Sequence, residues 1–82
     1  MLPPHRVRQL ICDRLAHFGA DAAAELTETI LVREGYYFGR RFEQDGLQAV
    51  WFVEEEQIKF YHRDKSLLEV CEIGVDASRE AA

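Results

Sequence analysis

From Thr27 onward the chain carries a turn signal about every ten residues, with alternating apolar residues between the signals. The signals are Glu34-Gly35, Asp45-Gly46, Glu55-Glu56 and Asp64-Lys65. A period of two puts successive side chains on opposite faces of a pleated strand, and short turns join neighbours antiparallel. The spacing therefore predicts a β-meander with strands near 27–33, 36–43, 47–53, 57–62 and 67–73. Gly35 and Gly46 supply the positive φ that tight hairpins require. Lys65 stands where glycine is easier.

Ahead of the meander the period changes. Val7, Leu10, Ile11, Leu15 and Phe18 recur at three- and four-residue intervals, the mark of one helical stripe. Pro4 suits a first helical turn and Gly19 a C-terminal stop, so a helix is predicted over 4–18. Arg6 and Arg8 oppose the helix dipole at that end and favour fraying. Asp21 to Leu26 admits two readings, a short capped helical turn or a connector. The expected fold is α+β, an N-terminal helix packed on one face of a five-stranded antiparallel meander. Residues 1–74 form the one domain that 82 residues allow, with a flexible tail over 75–82.

Pairing the strands across their turns sorts the side chains. Leu31 falls opposite Phe38, Phe38 opposite Trp51, Phe42 opposite Leu47, Trp51 opposite Phe60, and Phe60 beside Val70. One face then carries Leu31, Phe38, Phe42, Leu47, Ala49, Trp51, Val53, Ile58, Phe60, Leu68 and Val70, which the helix stripe covers. The other face would be polar if it met only water. Instead it carries Ile30, Val32, Tyr37, Val50, Phe52 and Tyr61, with Gly39, Arg41, Lys59, Glu69 and Cys71 among them. Monomers rarely leave such a patch open, and Tyr and Arg recur as interface anchors. Ile30, Val32, Tyr37, Arg41, Val50, Phe52 and Tyr61 are the candidate interaction surface. The competing reading is a sheet that curls until part of this face is core.

Signals for chemistry are weak. His5, Cys12 and His17 sit on the helix without closing a metal site, and no Cys-x-x-Cys or His-Glu-x-x-His spacing occurs. The Glu54-Glu55-Glu56 run lacks the further oxygen ligands of a calcium loop and reads as a solvated turn or a negative rim to an interface. His62 has no nucleophile near it and reads as a partly buried histidine with a backbone partner. Arg40 shares the core face by alternation and is expected to snorkel or to pair with a helix carboxylate such as Asp13. Arg40-Arg41 between Phe38 and Phe42 superficially matches base-stacking sheets, but alternation leaves only Tyr37, Phe52 and Tyr61 on the Arg41 face, and a net charge of −5 argues against nucleic acid. Two cysteines make no disulfide framework, and no apolar run spans a bilayer. A composition of 48% hydrophobic and 30% charged residues fits an ordered chain.

The runs Gly39-Arg40-Arg41-Phe42, Gln48-Ala49-Val50-Trp51-Phe52, Gln57-Ile58-Lys59-Phe60-Tyr61 and Leu67-Leu68-Glu69-Val70 resemble a group of small uncharacterised bacterial proteins. That resemblance covers the last two-thirds of the chain and implies no activity.

The sequence is thus read as a cytoplasmic, non-enzymatic interaction module that self-associates as a homodimer through its second sheet face. A heterologous protein partner is also allowed, no membrane is expected, and neither cofactor nor metal is expected. The alternative is a binding module that holds a small apolar or aromatic ligand between that face and residues 19–27. Single-stranded nucleic acid ranks lower.

Overall fold

The computed structural model describes residues 4–73, with helix α1 (Pro4–His17) leading into five strands. These are β1 (Thr27–Arg33), β2 (Tyr36–Gln44), β3 (Leu47–Phe52), β4 (Gln57–Tyr61) and β5 (Leu67–Glu72). They form one antiparallel sheet in the order β1-β2-β3-β4-β5, so the expected α+β meander is the fold. Each element boundary lies within one residue of the sequence expectation. The tail expected over 75–82 falls outside the described residues.

The helix stops as its sequence demands. Gly19 has φ 104°, the amide of Ala20 donates to Leu15 O at 2.9 Å, and that of Gly19 donates to Ala16 O at 3.0 Å. This is the paired C-terminal cap that a left-handed glycine makes, and Ala20 is buried just beyond it. The ambiguous stretch after it is a turn and not a helix. Asp21 Oδ1 accepts from the Ala23 amide and Asp21 O from the Ala24 amide, each at 2.9 Å.

The inner face of α1 buries Val7, Ile11 and Leu15 almost completely against Phe42, Leu47, Ala49, Trp51, Ile58, Phe60 and Ile73. Burial of each such aliphatic side chain stabilises the fold by about 1.5–3 kcal/mol. Two ion-pair straps fix the crossing direction of α1. Toward its N-terminus Arg8 reaches Glu28 of edge strand β1 at 2.8 Å, and Glu28 also takes Arg40 of β2 at 2.6 Å. Toward its C-terminus Arg14 pairs with Glu69 of the opposite edge strand, β5. The helix therefore runs from one sheet edge to the other. Arg40 finds its carboxylate on β1 and its second acceptor in Tyr37 Oη at 2.9 Å, not on the helix as expected.

Register separates what the turns determine from what they do not. Glu34-Gly35 and Asp45-Gly46 are two-residue turns with both φ values positive, at 51° and 82° and at 54° and 82°. The pairings Gln44↔Leu47 and Trp51↔Ile58 differ by two positions from those expected, so β3, β4 and the part of β2 from Gly39 onward keep their predicted faces. The edge strands do not. A bulge between Leu31 and Val32 leaves Phe38 as an extra residue, and one between Phe60 and Tyr61 leaves Leu68 extra. Each bulge slips its strand by one, which exchanges the faces beyond it.

The consequences are specific. Ile30 lies opposite Arg40, on the helix-side row, and is not part of the second face. Leu31 lies opposite Gly39 on the second face and does not join the core. Glu69 and Cys71 pair with Phe60 and Ile58 on the helix side, while Val70 pairs with Lys59 on the other. Phe38 and Leu68, both assigned to the core face by alternation, are the bulge residues and stay outside the buried cluster.

Candidate functional site: an uncovered sheet face and its aromatic cleft

Three cross-strand rows build the face away from α1. The middle row runs Thr29, Arg41, Val50, Lys59, Val70. On one side of it lie Leu31, Gly39, Phe52, Gln57 and Glu72, and on the other Thr27, Glu43, Gln48, Tyr61 and Leu67. Strands β1 and β5 are not paired with each other, so the sheet is open. Among the described residues α1 is the only helix, and it covers the opposite face.

Of the residues expected here, Arg41, Val50, Phe52 and Tyr61 lie together across the central strands, with Val50 directly between Arg41 and Lys59. Val32 and Tyr37, expected on this face, pair with each other beyond the bulge and outside its three rows, 59% and 45% exposed, and Tyr37 Oη accepts from Arg40 of the helix-side row at 2.9 Å. Ile30, 58% exposed, belongs to the other side. Sequence reasoning missed Leu31 and Val70, because strict alternation has no term for a bulge. Lys59 Nζ sits 5.3 Å from the centre of the Phe52 ring, so a cation of the chain itself already covers that aromatic surface.

Gly39 shapes the middle of this face. A Cβ there would run into the Trp51 carbonyl oxygen and come within 3.3 Å of Trp51 C. Only glycine permits so close an approach of β2 to β3.

At the hairpin end of the face an open cleft of about 560 Å³ lies between the β1–β2 turn and the β3–β4 turn. Tyr36, Tyr37, Phe38 and Phe52 line it, with Arg33, Glu34, Glu54 and Glu55 at its margin. Bulging turned Phe38 from its expected core position into this cleft, where the Arg33 guanidinium lies 5.2 Å from its ring centre. Tyr36 is 78% exposed.

No family model, curated protein or solved structure matches the chain.

The remaining candidates take structural places. Among the described residues no group of three His, Cys, Asp or Glu is arranged to hold a metal ion, and no helix is long and apolar enough to cross a membrane. Burial, and then the neighbouring Asp13, push the Cys12 thiol above its ordinary pKa, which leaves it a poor nucleophile at neutral pH. His62 stands at the mouth of the β4–β5 turn with Nδ1 3.6 Å from Asp64 Oδ1, so its ring faces a carboxylate in place of the expected backbone partner.

Residues 19–27 do not overhang the second face. The Asp21 amide donates to Asp45 Oδ2 and Gln44 Nε2 donates to Ala24 O, each at 2.9 Å, and Leu26 packs on the core cluster.

Proposed function

We propose that this protein is a non-enzymatic interaction module whose uncovered sheet face meets the same face of a second copy. The open sheet, with α1 on one side only and Leu31, Val50, Phe52, Tyr61 and Val70 on the other, carries the reading. Two such sheets pack face to face with their strands within about 30° of each other.

Charge favours a second copy over an unrelated strongly charged partner. The chain carries a net −5, yet this face presents Arg41 and Lys59 beside Glu43 and Glu72. Cations and carboxylates balance there, so two copies meet on it without net repulsion. The balance also weakens the nucleic-acid reading, which needs a predominantly basic surface. Five strands spaced by about 4.8 Å, with roughly six residues at about 3.3 Å each, give a face of about 24 by 20 Å. That is about 480 Å² per copy, below the range of stable interfaces and in that of weak, transient ones, so we expect a dimer no tighter than micromolar. A cytoplasmic setting and a bacterial source belong to the same reading.

Sedimentation equilibrium of the parent beside Val50→Glu tests it across the micromolar range. Arg41 and Lys59 flank Val50, so the new carboxylate has partners within the monomer and the fold is retained. A reversible dimer is expected for the parent and a monomer for the variant. Parent and variant that behave alike, with intact circular dichroism, contradict the proposal.

A further inference from the structure

The cleft at the hairpin end has a chemistry distinct from the flat face beside it. Its lining is aromatic, and three carboxylates stand at its margin against one guanidinium. The side chains of Glu34, Glu54 and Glu55 have no ion-pair or hydrogen-bond partner among the described residues. An aromatic cleft with unneutralised carboxylates at its mouth attracts a cation that also has a flat or apolar surface to lay on the rings.

We propose that this cleft binds an arginine side chain presented by a partner polypeptide, held on Tyr36 with Glu54 and Glu55 as its counter-charges. Guanidinium is favoured over ammonium because the guanidinium of Arg33 already packs over Phe38 in the same cleft, with its carbon 5.2 Å from the ring centre. The wall thus accepts a planar cation, and the 78% exposed ring of Tyr36 leaves a second such surface free. A polypeptide is favoured over the free amino acid for two reasons. The free amino acid's own carboxylate would meet the acidic margin, and the cleft is open enough for a chain to pass across it.

The site does not depend on self-association, and the test keeps the two apart. Amide chemical shifts of the isotope-labelled Val50→Glu protein are followed while a blocked Gly-Arg-Gly peptide is added. Parallel titrations use the Gly-Lys-Gly peptide and the neutral Gly-citrulline-Gly peptide. Saturating shifts at Tyr36, Phe38, Phe52 and Glu54 are expected with the arginine peptide, weaker ones with lysine, and none with citrulline. Exchanging both turn carboxylates, as Glu54→Gln with Glu55→Gln, should weaken arginine binding by about tenfold without changing the remaining spectrum. Both residues are exposed on the turn, so this variant folds.

Absence of shifts at the cleft overturns the proposal, as does an unchanged affinity in the double variant. Equal binding of the citrulline peptide overturns the role of charge, and equal binding of the lysine peptide overturns the choice of guanidinium.

Discussion

Gly39 shows how one residue sets the geometry of the proposed surface. Its position admits no side chain, because the obstacle is the Trp51 backbone and not a movable group. Gly39→Ala is therefore expected to lower stability by about 1–3 kcal/mol, read as a fall in the urea midpoint at unchanged m-value. An unchanged midpoint would show that β2 and β3 are less tightly apposed. Asp64 is a carboxylate whose charge the β4–β5 turn uses. The Ser66 hydroxyl and then the Ser66 amide donate to its carboxylate, at 2.6 and 2.9 Å, and hold its pKa below the ordinary value. A carboxyl with a lowered folded-state pKa stabilises above its unfolded value of about 3.9, and loses that contribution as pH falls through the folded value. The stability gap between the parent and Asp64→Asn should be present at neutral pH and shrink as pH drops below about 4. A gap that grows on acidification would contradict this assignment.

At the scale of elements, the straps from α1 to the two sheet edges matter most. Arg14 spans the interface between α1 and β5, with its guanidinium 5.5 Å from the centre of the Phe18 ring, and its buried Nε has no hydrogen-bond partner. Removal of Glu69 alone leaves this guanidinium short of its acceptor. Glu69→Leu should cost about 1–3 kcal/mol, and adding Arg14→Leu should recover a large part of that loss. Chemical denaturation of the single and double variants checks it, and strictly additive losses would refute the coupling. Strand limits were legible in the sequence because turn chemistry is local: Asp45-Gly46 and Glu34-Gly35 announce their hairpins unaided. The faces of β3, β4 and the part of β2 from Gly39 onward were legible as well, since an error of two positions leaves a period-two pattern intact. The outer parts of β1 and β5 were not, because a bulge is a choice of twist that no single residue announces. Those two slips account for the misplacement of residues such as Ile30, Leu31 and Phe38 at one edge and Leu68, Glu69 and Val70 at the other. The aromatic cleft was hidden for the same reason, as it exists only where the bulge turns Phe38 outward.

At the scale of the molecule, the one helix and one open sheet of the described residues leave a face with an apolar middle and balanced charge. In a chain of net charge −5 that face is where a second copy meets least repulsion. Its centre, Val50 between Arg41 and Lys59, does not line the cleft, so the two surfaces can be disabled by different substitutions. Phe52 belongs to both, which makes it a poor choice for assigning either role. An isotope-filtered nuclear Overhauser experiment on a mixture of labelled and unlabelled protein tests the central claim most directly. The account predicts intermolecular contacts among Val50, Phe52, Tyr61 and Val70. Contacts confined to the outer edges of β1 and β5, or no intermolecular contacts at millimolar concentration, would contradict it.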